Sequence, residues 1–289
     1  MSVNFVVRQT TMIVSRPRPP QAIRIVRALL LVMLPCVVGC TGDDVAWTDP
    51  LSLSSASGAD AHLAVDSRGR ARLVSDTSVS VVPEQDQHAC PGSVRTARQD
   101  DGTLTAVWWS VRADSSSVLV AAVSPDGGKS WRPAVRVDTA DVSVAGCNRP
   151  APAIAASGGF VHLAYAMRGS EGVGVFYSHS MNAGTTYEAP VTILYGDRLT
   201  RTTIAADRGT LAVAYEDPSG STPQIGLALS RDWGHIFCDR IRGSTGVGPA
   251  TDPQVAVTGR EVAISWIVSS AAGDSDAGPT RIVRVGRPQ

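Results

Sequence analysis

The 289-residue chain is poor in the features that announce a particular chemistry. Aromatic residues make up 5% of it, charged residues 18%, and the formal net charge is zero. No basic patch argues for nucleic acid. The five histidines are scattered, without His-Glu-x-x-His spacing or another zinc grouping, so no metal is expected. His162 alternates within a strand pattern and reads as a packed strand residue. No glycine-rich phosphate loop opens a helix, no Gly-x-Ser-x-Gly elbow follows a strand, and no cofactor is expected. The apolar run from Ala28 to Gly39 has 12 residues, short of the roughly 20 that a spanning helix needs.

What is plentiful is glycine (27) and proline (18), against a background of Val, Ala, Ser and Thr. That mixture suits many short strands and turns better than long helices. Turn glycines at 69, 102, 159, 209 and 259 are each followed by an alternating strand, and their spacing is 33, 57, 50 and 50. Four of those strands place an aromatic near their end: Trp108, Tyr165, Tyr215 and Trp266. Strict alternation in Phe160 to Tyr165 implies a sheet with two different faces.

A second signature recurs in the same phase. Ser124-Pro-Asp126-Gly-Gly128-Lys-Ser-Trp131 returns as Ser180-Met-Asn182-Ala-Gly184-Thr-Thr-Tyr187 and as Ser230-Arg-Asp232-Trp-Gly234-His-Ile-Phe237. The acidic or amide side chain can accept from backbone N–H groups, and the glycine supplies φ > 0. A repeat of this length implies a modular architecture.

Ser-x-Asp-x-Gly-x-x-Trp resembles the Asp-box, or BNR repeat, of sialidase-like β-propellers. The first copy fits fully; the second has Asn and Tyr, and the third has Phe and lacks the hydroxyl residue before it. The resemblance implies an all-β propeller of four-stranded antiparallel blades, with each box between the third and fourth strands, away from the substrate site. Five repeats are countable, with six blades the alternative. Residues 47–53 look like a fourth strand without its own blade, which implies that the N-terminal strand pairs into the last blade, beside Arg281 to Val285.

The N-terminal region reads separately. The first 40 residues carry five arginines and no acid, and removing them leaves 21 basic against 26 acidic residues. Arg24 and Arg27 precede the apolar run, which ends in Val37-Val38-Gly39-Cys40. This resembles a bacterial lipobox, implying a signal peptide over 1–39, acylation of Cys40, a tether over 40–45 and a propeller over 46–289. An ordinary secretory signal with a chance Cys40 is the alternative, and Met12 is an alternative start. The envelope setting permits a Cys90–Cys147 disulfide, since both cysteines precede first strands of adjacent blades. Cys238 reads as a buried thiol.

Loops before first strands and between second and third strands share one face of such a fold, so their polar residues converge on the channel mouth. Carboxylate recognition asks for guanidinium groups. Arg149 and Arg201 are the candidates, with Arg168 or Arg112 as a third. In the sialidase-like family a Tyr activated by a Glu attacks and an Asp is the acid; by that resemblance Tyr195 and Glu216 are the candidate pair, with Asp60 or Asp86 as the acid, but their order departs from the family's pattern and the pair is not expected within hydrogen-bonding reach. The Arg-Ile-Pro motif of the sialidases is absent after residue 40, and no tyrosine follows Tyr215. The expectation is therefore a lipid-anchored envelope protein binding a glycan or a protein ligand. A sialidase-like hydrolase acting on an acidic sugar and a scaffold of an envelope complex are the alternatives.

Overall fold

The structure is a computed structural model, and it describes residues 45–53, 61–75, 86–237, 239–246, 248–268 and 279–288. The signal segment, Cys40, Asp60 and Cys238 lie outside the described residues.

Among the described residues there are five antiparallel sheets. The first holds β3 (Ala61–Val65) and β4 (Ala71–Ser75). The second runs β5 (Arg95–Arg98), β6 (Leu104–Val111), β7 (Ser117–Ser124) and β8 (Val135–Asp138). The third runs β9 (Ala153–Ser157), β10 (Phe160–Gly169), β11 (Gly172–Ser180) and β12 (Val191–Gly196). The fourth runs β13 (Thr202–Asp207), β14 (Thr210–Glu216), β15 (Ile225–Ser230) and β16 (Asp239–Arg242). The fifth runs β17 (Ala250–Thr258), β18 (Glu261–Val268) and β19 (Thr280–Pro288). Each of these sheets is a simple meander, because short turns join strands that are neighbours in sequence.

The first strands of all five sheets line one cavity of about 680 Å³, contributing Leu63, Thr96, Ile154, Thr203 and Val255 among others. That shared lining makes the sheets the blades of a β-propeller and the cavity its channel. Four apolar clusters lie between neighbouring blades. Trp109 and Tyr165 meet edge-on at 5.8 Å between blades two and three. The four aromatics that end the second strands, Trp108, Tyr165, Tyr215 and Trp266, are all buried. Each such side chain contributes about 1.5–3 kcal/mol by leaving water. Blade joins to blade by packing and side-chain bonds, such as Thr202 Oγ1 to Ala164 O and Thr258 Oγ1 to Val65 O. No backbone ladder crosses between sheets among the described residues.

The N-terminal segment pairs with β19 as two short strands, β1 (Val45–Trp47) and β2 (Leu51–Leu53). A single strand over 47–53 was the expectation; the break at 48–50 contains Pro50, which has no N–H to give the ladder. The fourth strands do not begin at the aromatic residue that ends each box. β8 begins at Val135 and β12 at Val191, so Trp131 and Tyr187 belong to the turns.

The three serine turns share one wiring. The serine hydroxyl donates to the Asp or Asn side chain and accepts from the glycine N–H: Gly128 N to Ser124 Oγ at 2.7 Å, Gly184 N to Ser180 Oγ at 2.8 Å, Gly234 N to Ser230 Oγ at 3.0 Å. Asp126, Asn182 and Asp232 each accept a further backbone N–H four residues on. Ser130 and Thr186 add a hydroxyl bond that Ile236 cannot make. Because Leu211 pairs with Ser230 while Thr210 pairs with Asp207, the serine turns and the turns between first and second strands share one face. We call it the turn face; the other end of the channel is the mouth.

Candidate functional site

The channel mouth is organised by Asp252. It sits in β17 where the register with β18 shifts between Thr251 and Gln254, and its φ is +53°. A non-glycine residue in this left-handed region stores strain, and bulges of this kind re-aim side chains beside sites. Four bonds hold it. Its N–H donates to Glu216 Oε1 at 3.0 Å, and Arg281 Nη1 donates to its carbonyl at 3.2 Å. Arg281 Nη2 bonds Oδ2, and Arg201 Nη1 reaches Oδ1 at 3.4 Å.

The two arginines differ in availability. Arg281 is 10% exposed and committed to Asp252 and to Ser265 Oγ. Arg201 is 65% exposed, and its one long ion pair is weak in water. Arg95 is exposed on the same cavity, with Nη1 bonded to the carbonyls of Gly92 and Val94. The cavity is thus lined by two further guanidinium groups: Arg201, open to water beside an Asp252 already neutralised from behind, and Arg95, whose pKa partial burial pushes down. Such a surface favours an anion with planar oxygens.

The other expected arginines are organised elsewhere, around Asp141. Arg149 Nη2 donates to Asp141 Oδ2 at 2.8 Å, its Nε to Gly146 O, and its guanidinium lies 4.7 Å from the centre of the Trp109 ring. Its side chain is fully enclosed. Although Arg149 borders the channel, its charge does not face it. Arg112 donates to Thr139 O, Asp141 O and Ser116 Oγ. Arg168 is exposed, and its backbone N–H donates to Asp141 Oδ1 at 3.3 Å. Arg112 and Arg168 do not line the channel cavity. The physical reason is one buried carboxylate: Asp141 also accepts from Ser117 N and Ser143 Oγ, and it draws the whole loop inward.

Tyr195 is placed differently from its expected position. It lies in β12, the outermost strand of its blade, half-exposed, with its ring edge-on to Phe176 and its hydroxyl accepting from Thr192 Oγ1. Glu216 is bonded instead to the Asp252 backbone, so the structure does not bring Tyr195 and Glu216 together. Asp86 accepts from Trp108 Nε1 at 2.9 Å and borders a separate cavity beside blade two. No tyrosine lines the channel among the described residues. Cys90 and Cys147 form a disulfide, Cα atoms 5.3 Å apart, tying blade two to the loop that carries Arg149. No group of three metal-ligating side chains is gathered for an ion among the described residues.

Arg95 was not among the expected site residues, because it belongs to a first strand and not to a loop. The signal was available: Arg95-Thr-Ala-Arg98 puts its charges on opposite sides of the pleat, if the strand is recognised as innermost.

No family model and no curated protein matches the sequence. Solved structures do overlap it. Trypanosoma rangeli sialidase in complex with 2,3-difluorosialic acid aligns at a TM-score of 0.46 and 13% identity, over 84% of this chain and 41% of that one. Phage phi92 endosialidase aligns at 0.45 and 12%, over 76% and 39%, and Hadza microbial sialidase Hz136 at 0.43 and 16%, over 60% and 41%. The chain therefore spans about two fifths of the length of those proteins. At such scores the likeness decides nothing about activity, and the propeller stands on the chain's own five sheets.

Proposed function

We propose that this protein is a glycan-binding propeller that takes an acidic sugar at its channel mouth. The observation that carries this reading is Asp252, strained at a bulge and held from behind by Arg281, which leaves Arg201 available on the cavity that Arg95 also lines. A ligand carboxylate replaces the long Arg201–Asp252 contact without stranding Asp252, whose second oxygen stays on Arg281. Charge-assisted, forked bonds from guanidinium to carboxylate supply the specificity. We further propose that the chain is anchored in the cell envelope through lipid on Cys40, as the Val37-Val38-Gly39-Cys40 sequence implies.

The hydrolase reading has less support. A tyrosine nucleophile needs its base at roughly 2.6–3.2 Å. Tyr195 instead bonds Thr192, and the base candidate Glu216 bonds Asp252 N. The test is a glycan array run beside a turnover assay. Binding confined to carboxylate-bearing glycans, with no fluorophore released from a 4-methylumbelliferyl sialoside, is the expected pair of results. Retention of neutral glycans alone overturns the binding reading, and turnover overturns the non-catalytic one.

A further inference from the structure

The chain enters the propeller on the turn face. Val45 pairs with Pro288, and Gly286 with Val262 just after the turn at Gly259 and Arg260. Residues 40–44 therefore join Cys40 to this face, and five residues reach at most about 17 Å.

Around that point exposed arginines outnumber exposed carboxylates, although Asp66 on the neighbouring turn is 39% exposed and the blade-two turns of the same face carry exposed Asp100, Asp101 and Asp126. Arg208 is 86% exposed and Arg287 65%, while their partners Asp207 and Glu261 are 32% and 10% exposed. Asp207 is further occupied by the Gly259 N–H. Arg260 is exposed and borders two shallow cavities, one with Arg208 and Arg287, the other with Arg231 and Pro288. In each ion pair the guanidinium points outward and the carboxylate is withdrawn. Beside them, on the same face, two serine turns hold large apolar side chains in water: Met181 at 53% and Ile236 at 56% exposure.

We propose that the turn face docks on an anionic lipid bilayer, with Arg208, Arg260 and Arg287 against the headgroups and Met181 and Ile236 dipping among them. The orientation, with the channel mouth turned away from the membrane, rests on the lipid-anchor reading; the bilayer affinity of the face does not. Each basic residue close to an anionic surface strengthens partition about fivefold. Asp43 and Asp44, in the connecting stretch, oppose it.

The test uses the chain from residue 40 onward with Cys40→Ser, which cannot be acylated. It is sedimented with vesicles of phosphatidylcholine, with and without about 30% phosphatidylglycerol, at an ionic strength of about 0.1 M. The anionic vesicles should hold it at least about tenfold better. Arg208→Ala with Arg260→Ala should abolish that difference. Met181→Ser with Ile236→Ser should weaken binding severalfold, and Asp43→Asn with Asp44→Asn should strengthen it. Arg95→Ala with Arg201→Ala, at the mouth, should change nothing. Equal binding to both vesicles overturns the proposal, as does loss through the mouth variant alone. The mass of the N-terminus of membrane-extracted native protein tests the anchor separately: an unacylated terminus sinks the anchor and leaves the vesicle result standing.

Discussion

Arg149 and Asp141 are joined Nη2 to Oδ2 at 2.8 Å, and their side chains are 0% and 1% exposed. A buried pair is costly to break from one side, because the remaining charge stays in a poorly solvating place. Arg149→Met and Asp141→Ala should each lower stability in urea by about 3–5 kcal/mol. Weakened acidic-glycan binding in Arg149→Met with unchanged stability would show that this cation serves the ligand after all.

The Cys90–Cys147 bond closes a loop over a sequence separation of 57. A crosslink of that span restricts the unfolded chain, and losing it costs about 2–5 kcal/mol. Cys90→Ala with Cys147→Ala should melt several degrees lower than the oxidised protein. An unchanged melting temperature on reduction would mean that the loop is held by Asp141 alone.

Gly234 has φ +86°, and a Cβ there would collide with the Tyr177 hydroxyl of the preceding blade. Both the backbone and the neighbour forbid a side chain. Gly234→Ala should cost more than the roughly 1–3 kcal/mol of backbone strain alone. Gly246 also has φ > 0 but no atom within 4 Å of a Cβ, so Gly246→Ala should cost less. Equal losses in the two variants would contradict the blade-packing role of the turn glycine.

His162 is buried, 2.7 Å from the Tyr177 hydroxyl, with Nε2 unpartnered. Burial, with His179 and His235 adding repulsion, pushes its pKa down to about 3. The unfolded chain takes up this proton near 6.5 and the folded chain near 3, so the unfolded state binds more protons between those values. Stability should therefore fall as pH drops from 6.5 toward 3, by at most about 1.4 kcal/mol per unit from this group. His162→Phe should flatten that slope; a slope identical in both proteins would contradict the assignment.

The blade pattern was legible because its determinants are local. Turn glycines, alternation and the serine turns act within a few residues, so each blade announces itself. The site was less legible because its determinants are distant. Asp252 meets Glu216 across 36 positions and Arg281 across 29. Arg149 looked available in sequence only because Asp141 carries no motif. Tyr195 was hard to place because it sits inside β12 just before Gly196, where the strand gives way to loop. Arg201 needed no partner knowledge, since it lies on the loop before a first strand and remains exposed.

A titration with N-acetylneuraminic acid followed by amide chemical shifts, with its methyl ester as the neutral control, tests the carboxylate site at the channel mouth. Saturable shifts should appear with the acid and weaken about tenfold or more in Arg201→Ala and in Arg95→Ala, as expected for a lost charge-assisted bond. The ester should bind no better than those variants. Equal affinity for acid and ester, or binding unchanged in both variants, would contradict a carboxylate site at the channel mouth.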